Sequence, residues 1–583
     1  MSVKTLLVYP EMPPTYWSFK YTMPFIGKRA AFPPLGLLTV GALLPADFEV
    51  SLVDMNARPL TPEAVSQADL VLTSSMLVQR DSLEQVIGLC KACGTTVVAG
   101  GPYPTTCHER VRGVDHFILN EAEATLPAFI DDYLRGRAMP IYQDTAKPGL
   151  DKTPPPRFDL VRADDYAAMS LQFSRGCPHG CEFCDIVELF GHVPRTKSPA
   201  QFLGEMDLLF ATGWRGSLFV VDDNFIGHRK AVKDLLRQVA AWQKQRRYPF
   251  ALFTEATLDL ASDEELMSLM VEAGFNMVFL GIETPVESTL RSVGKHHNLK
   301  ADMLESVRRI QARGMEVAAG FILGFDSDPE DIFDRQIAFI QDAGIPTAMV
   351  GLLTALPNTR LYRRLEAEGR IAEESEGNNT HDLRLSYVPK MDPKVLLSGY
   401  RRVLSEIYRP QRYFERCMTL LKTLRIHRTS RRRLGVPEFR ALGLSILRQS
   451  TSAYAWPYWK FLVRGVMLRP SLIAEIVAMA VKGHHFFKMT RRVFEVERFK
   501  QTLERFSGAF RDRAAALSVA DAQHKVAELR AYRDRLLADL SVEYGRIHRD
   551  FTRYAERSLG SFKGMMEELI DQALSQAAPA PGG

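Results

Sequence analysis

Short apolar runs, each closed by a glycine or a polar residue, alternate along the first 355 residues with segments whose apolar positions repeat at three- and four-residue steps. Strands alternating with amphipathic helices imply parallel sheets. The runs at Lys4–Pro10, Glu49–Asp54, Asp69–Ser74 and Thr95–Gly101, with the amphipathic stretch Leu35–Leu44 among them, predict a doubly wound α/β domain over residues 1–145. A proline-rich linker, 146–165, follows. Further buried strands are predicted at Ser170–Phe173, Ser217–Asp222, Phe250–Thr254, Met277–Gly281, Val317–Leu323 and Ala348–Leu353. Helical patterns at 231–244, 263–273, 300–313 and 331–343 separate them, giving six strand–helix units within 166–379. The remainder reads as helical: a domain over 380–490 and an extension over 491–574, in which Phe499, Leu503, Phe506 and Phe510, then Leu529, Leu536 and Leu540, form buried stripes. Composition makes 575–583 a disordered tail.

Composition narrows the classes. An apolar content of 46% over 583 residues is ample for several cores. Seven unevenly spaced cysteines and no signal peptide at the start argue for a reducing, cytoplasmic location. No stretch reaches the eighteen apolar residues of a membrane span; the best, Leu472–Val481, is broken by Glu475. Basic residues gather at Lys422, Arg425, Arg428 and Arg431 to Arg433, but without the aromatic interleaving that stacks bases, so no nucleic-acid partner is expected.

The chemistry concentrates in Cys177, Cys181 and Cys184, a C-x3-C-x2-C triplet. Gly176, Pro178 and Gly180 interrupt any helix there, so the three thiols belong to a loop. Three thiolates are one short of the four irons of a cube, leaving one iron open to another ligand. The alternatives are zinc, which wants a fourth ligand, and a set of unconnected buried thiols. Cys90 and Cys93 make a C-x2-C pair, but Cys90 continues the apolar pattern of Val86, Ile87 and Leu89 and reads as core. In parallel barrels chemistry sits at the carboxyl ends of strands. Those ends carry Asp222, Asp223 and Asn224, then Glu255, Glu283 and Gly324; the acidic and amide side chains among them are hydrogen-bond acceptors. The strand ends of the first domain are Pro10, Ser74, Ser75, Gly100, Gly101 and Pro102, with Glu121 after a later strand. No G-x-G-x-x-G follows the first strand, which argues against a dinucleotide. His296 and His297 are candidate bases.

The triplet, with Phe183 before its last cysteine, resembles the signature of the radical S-adenosylmethionine (radical SAM) enzymes. That resemblance implies a 4Fe–4S cluster, SAM on its open iron, a partial (β/α)6 barrel and an external electron donor of flavodoxin or ferredoxin type. It also implies roles: Asp222 to Asn224 near the SAM amino group, where Asp222-Asp223 replaces the common Gly-Gly-Glu, Glu283 at the ribose, and Gly324 beneath the adenine. The first domain resembles the cobalamin-binding domain of one large class within the family, with the Gly100-Gly101-Pro102 loop against the cofactor. The D-x-H-x-x-G motif that supplies a histidine to cobalt is absent. The runs Val221–Gly227, Glu255–Leu258, Gly281–Pro285 and Ala355–Thr359 are most similar to the branch containing hopanoid C-2 methylases. This implies methylation of an unactivated carbon, with a small molecule or a lipid as substrate. The alternatives are a radical rearrangement, cyclisation or oxidation without methyl transfer, and a non-catalytic redox sensor. The aromatic-rich segment Tyr454–Phe461 and the apolar run Leu472–Met479, flanked by basic residues, add peripheral contact with the inner membrane face as an expectation.

Overall fold

The computed structural model describes residues 2–373, 375, 377, 380, 384–425, 436–516 and 522–575. Arg428, Arg431 to Arg433 and the tail 576–583 lie outside the described residues. Residues up to His485 form one packed unit, and a second begins at Phe486.

Six strands open the first unit: β1 (Lys4–Tyr9), β2 (Glu49–Asp54), β3 (Leu70–Ser74), β4 (Thr96–Gly100), β5 (His116–Leu119) and β6 (Ile141–Gln143). Only β6 has no counterpart in the apolar pattern. The sheet runs β2-β1-β3-β4-β5-β6, parallel throughout. Successive side chains point to opposite faces, so Leu6 and Val8 of β1 meet Val86, Ile87 and Cys90 of one helix. Leu7 meets Phe129 and Ile130 on the other side. Covering both faces is what an all-parallel sheet demands. Cys90 and Cys107 are consumed by this core.

The second sheet contains β7 (Ala168–Leu171), β10 (Ser217–Val220), β11 (Ala251–Ala256), β12 (Phe275–Glu283), β13 (Glu316–Leu323) and β14 (Ala348–Leu352). They lie in that spatial order, all parallel. Helices Arg229–Gln245, Glu264–Glu272, Met303–Ala312 and Ile332–Asp342 connect them, each within a few residues of its sequence pattern. Between β7 and β10 the chain makes a small antiparallel hairpin, β8 (Ser174–Arg175) with β9 (Arg195–Thr196), and the three cysteines sit in its loop.

Ion pairs tie the two sheets together at their functional ends. Glu121, just past β5, accepts from Arg195 Nη2 at 2.7 Å and from Arg175 Nη1 at 2.8 Å, while Arg175 also reaches Glu123 at 2.8 Å. Tyr166 donates to Asp54 at 3.0 Å, completing a second seam with the Ala30–Tyr166 bridge. In the second unit the stripes of Phe499, Leu503 and Phe510 and of Leu529, Leu536 and Leu540 are buried, with Phe510 stacked on Tyr532 at 5.9 Å.

Removing Glu121 leaves Arg195 charged without its carboxylate and Arg175 with Glu123 alone, and breaking a buried pair costs about 3–5 kcal/mol. Glu121→Ala should therefore lower unfolding stability by that amount even in cofactor-free protein. Denaturant melts read it, and an unchanged midpoint would contradict the role given to this carboxylate.

Candidate functional site

The cysteine loop is shaped by backbone contacts that exclude side chains. Gly176 has φ +97°, and a Cβ there would lie 2.9 Å from the Gly191 carbonyl. Cys177 N donates to that carbonyl at 3.2 Å, and Glu182 N donates to Val293 O at 3.0 Å, fixing both ends of the loop. All three thiols are half-buried and none is in a disulfide. Burial pushes their pKa values up. Asn224 Nδ2 points at Cys177 Sγ, 3.8 Å away, and its own Oδ1 is buried without a partner. Among the described residues no three His, Cys, Asp or Glu side chains converge on a single metal position. A zinc site needs such convergence, whereas cluster ligands each take a separate iron.

The acidic strand ends divide into occupied and available groups. Asp222 is fully buried and occupied: its oxygens accept from Phe173 N (2.8 Å), Ser174 N (2.7 Å) and Ser174 Oγ (2.6 Å). It straps the start of the hairpin. Asp223 beside it makes no side-chain bond to another described residue, and burial pushes it up to about 6, with Asp185 adding. Glu255 has no such bond either, and burial pushes it up to about 8, with Asp223 and Glu283 adding. Glu283, held at φ +64°, pairs at 2.6 Å with Lys295, a buried lysine that no local pattern singled out. Burial would lower that ammonium, but Glu283 and the thiols Cys181 and Cys184 hold it above its ordinary value. Its Nζ also stands 5.8 Å from the Phe183 ring centre, and Phe183 packs on Phe325 at 5.7 Å.

Gly324 is needed for a reason internal to the fold. At φ +105°, a Cβ there would come 2.8 Å from Tyr387 Oη, which donates to its carbonyl. His297 is buried and stacks on His179 of the cysteine loop at 3.8 Å, while burial pulls its pKa down to about 2. His296 is exposed. His297 thus braces the loop.

At the carboxyl ends of the first sheet a cavity of about 300 Å3 is lined by Ser74, Gly100, Gly101, Pro102, Asn120 and Glu121. Thr73 Oγ1, Ser75 Oγ and Asn120 Nδ2 nearby are buried without partners, as a polar ligand's contacts would be. A Cβ on Gly101 would meet Ser74 Oγ at 2.4 Å and Ser75 N at 2.9 Å, so this glycine serves the loop's own packing. Pro10 stands apart: its carbonyl accepts from Gln79 Nε2 at 2.6 Å and Asn56 Nδ2 at 3.3 Å. Glu121 borders the cavity with both oxygens committed to arginines.

A second cavity, about 400 Å3, fills the second sheet's interior, and Trp17, Phe32, Phe219, Phe253, Phe279 and Glu255 are among its walls. Phe219 and Phe253 stack at 4.9 Å, Phe32 caps them at 5.2 Å, and Trp17 packs on Phe279 at 4.9 Å. In sequence these residues look like ordinary core positions. Only the N-terminal segment carrying Trp17 and Phe32, laid over their alternate face, turns that face into a pocket lining.

A three-thiol hairpin at the rim of an open parallel barrel, with a doubly wound domain packed at the same end, is the architecture of the radical SAM enzymes that carry a second cofactor domain. Residues 171–340 match the radical SAM superfamily, residues 29–130 the B12 binding domain and residues 359–498 a domain of unknown function. An uncharacterized methyltransferase of Synechocystis sp. is 39% identical over 492 residues, 83% of this chain and 92% of the relative. The hopanoid C-2 methylase of Rhodopseudomonas palustris is 32% identical over 506 residues, 84% of this chain and 94% of that protein. The fold is shared with the cobalamin-dependent S-adenosylmethionine radical enzyme OxsB at TM-score 0.56 and 14% identity, over 85% of this chain and 84% of that one. It is shared also with the methyltransferase TsrM from Kitasatospora setae at TM-score 0.51 and 15% identity, over 83% and 99%. The chain belongs to the cobalamin-dependent radical SAM methyltransferase family. Its cofactors are a 4Fe–4S cluster, SAM and cobalamin.

Glu255 supplies a pH test. Unfolded, its carboxyl ionises near its model value of 4.5; folded, it keeps its proton to about 8, so wild-type stability falls as pH rises through that window. Glu255→Gln cannot ionise. Its stability relative to wild type should climb between those two pH values and level off above, and a flat difference in paired melts would contradict the burial argument.

Proposed function

We propose that the chain methylates an unactivated carbon of a lipid-class substrate held in the aromatic cavity. The observation that carries this reading is that cavity: apolar and aromatic, of a size that suits a small molecule, with Glu255 at its wall. The hopanoid methylase among the relatives agrees with it. When bound, the cluster with SAM supplies a hydrogen-abstracting 5′-deoxyadenosyl radical and cobalamin supplies a methyl group.

The residues divide the work as follows. Cys177, Cys181 and Cys184 hold the cluster, and Asn224 donates to the first of them. Asp223, ionised at neutral pH and unpaired, accepts from the SAM ammonium. Glu283, oriented by Lys295, accepts from the ribose, while Phe183, Phe325 and the Gly324 backbone make an adenine slot. Ser74, Ser75, Gly100, Gly101 and Pro102 face the cobalamin across the first cavity. Trp17 and Phe32 exclude water from the barrel. Glu255 keeps its proton on the carboxyl at neutral pH and so adds no charge beside an apolar substrate. The electron comes from an external flavodoxin- or ferredoxin-type donor.

Anaerobic reconstitution with iron, sulfide, cobalamin, SAM and a bacterial lipid extract tests the reading. S-adenosylhomocysteine and 5′-deoxyadenosine should accumulate together; 5′-deoxyadenosine alone would mean a radical reaction without methyl transfer.

Changing any of the three loop cysteines to Ala should reduce bound iron and abolish SAM cleavage, because each thiolate serves one iron. Cys90→Ala should leave both intact, since that thiol lies in the first sheet's core. Full cleavage in the triple variant would sink the assignment. Asp223→Asn should weaken SAM binding about tenfold at unchanged iron content, the loss of a charge-assisted bond; equilibrium dialysis reads it, and unaltered affinity would remove Asp223 from the site.

A further inference from the structure

The segment that sequence composition marked for a membrane interface is mostly interior. Tyr458, Phe461, Leu472, Ile476 and Met479 are all buried. Another set of side chains, on the first of these helices and on the one before it, faces outward. Helix Ala455–Leu468 exposes Trp456 (79%), Val463 (51%) and Met467 (79%), spaced at seven and four residues and so on one face, and helix Val436–Ser450, packed against it, exposes Phe439 (61%) and Leu447 (65%). Monomeric proteins rarely expose contiguous apolar patches of this kind without a partner.

The charge around the patch is predominantly basic, with Glu438 before it and Glu475 after it as the flanking acids. Arg440, Arg448, Lys460, Arg464 and Arg469 fall between residues 439 and 474, where the chain has no Asp or Glu. Lys460 and Arg464 are exposed on the same turns as Trp456 and Val463. Apolar side chains on one face with basic residues interleaved match the chemistry of an anionic bilayer surface, where the former enter the headgroup boundary and the latter meet lipid phosphates.

The position bears on the cavity. Helix Val436–Ser450 packs on the short helix Met23–Ile26, with Arg448 5.0 Å from the Phe25 ring centre and Arg440 against Gly27. That segment leads directly from Trp17 to Lys20, which line the barrel cavity, and Trp17 itself is 41% exposed. We infer that the paired helices 436–450 and 455–468 seat the protein on an anionic membrane, beside the wall through which a lipid reaches the barrel. The lipid-entry part rests on the proposed lipid substrate; the docking part does not.

Full-length protein is spun with vesicles of phosphatidylcholine, alone or mixed with phosphatidylglycerol, without cofactors or substrate. It should pellet with the mixed vesicles at low salt, less as salt rises, and little with the neutral ones. K460Q/R464Q should partition about twenty-fivefold more weakly, taking about fivefold for each basic residue lost. W456S/M467S should also release the protein, and bromine-labelled lipid should quench wild-type tryptophan emission more than that of W456S. Circular dichroism identical to wild type shows that these surface variants are folded. Equal binding to neutral vesicles, or unchanged binding by both double variants, overturns the inference. So does a dimer in solution that W456S/M467S dissociates, because the patch would then cover a second copy. Methyl transfer to detergent-dispersed lipid is scored separately. Its failure with vesicle binding intact strikes the proposed reaction alone, whereas its success without vesicle binding strikes only the docking face.

Discussion

The buried carboxylate of Glu121 between two guanidinium groups is the constraint on which the rest of the site depends. It stands at the carboxyl end of the first sheet, while Arg175 and Arg195 are paired across the hairpin whose loop carries the three thiols. One ion network therefore fixes the strand-end cavity relative to the cysteine loop. Desolvation makes such a network a weak source of net stability, but any displaced arrangement leaves a charge buried and unpaired. The selection is of geometry. Two cofactor sites whose reacting groups must meet over one substrate need just that kind of restriction.

Around this fixed point the barrel sorts its acidic groups by environment. Asp222 uses its oxygens to hold Phe173 and Ser174, so the cysteine hairpin leaves β7 in one direction. Lys295 neutralises Glu283 next to the loop, and the His179–His297 stack braces it from outside. Asp223 and Glu255 remain with open oxygens at the rim and the wall, and their raised pKa values follow from burial without a counter-ion. Glu255 borders the aromatic-lined cavity.

Much of this plan is legible in the sequence because parallel sheets write themselves locally: each buried strand is an apolar run, and each covering helix repeats at 3.6 residues. The doubly wound first domain, the six-stranded second sheet and the cysteine loop follow from such patterns. What failed to read were partners distant along the chain. An acid at a strand end suits a cofactor, and the donors that fill Asp222 lie nearly fifty residues earlier, where no local pattern points to them. Likewise the side chains that forbid a Cβ at Gly101 and Gly324 are Ser74 and Tyr387. Lys295 sits in no local pattern at all. Phe219, Phe253 and Phe279 alternate as any core strand does, and only the residues laid over that face, Trp17 and Phe32 among them, distinguish lining from core. The exposed stripe of helix Ala455–Leu468 was equally hidden, because aromatic content does not say which face is covered.

The central claim is that the radical and methyl-transfer chemistries meet on one lipid carbon inside the barrel. Isotope transfer tests it most directly. Reconstituted protein is given a perdeuterated bacterial lipid extract and unlabelled SAM, and the 5′-deoxyadenosine and the lipids are analysed by mass. The account predicts one deuterium in 5′-deoxyadenosine and, in equal amount, a lipid that has exchanged one deuterium for an unlabelled methyl group. Unlabelled 5′-deoxyadenosine, or labelled 5′-deoxyadenosine with no methylated lipid, would contradict it.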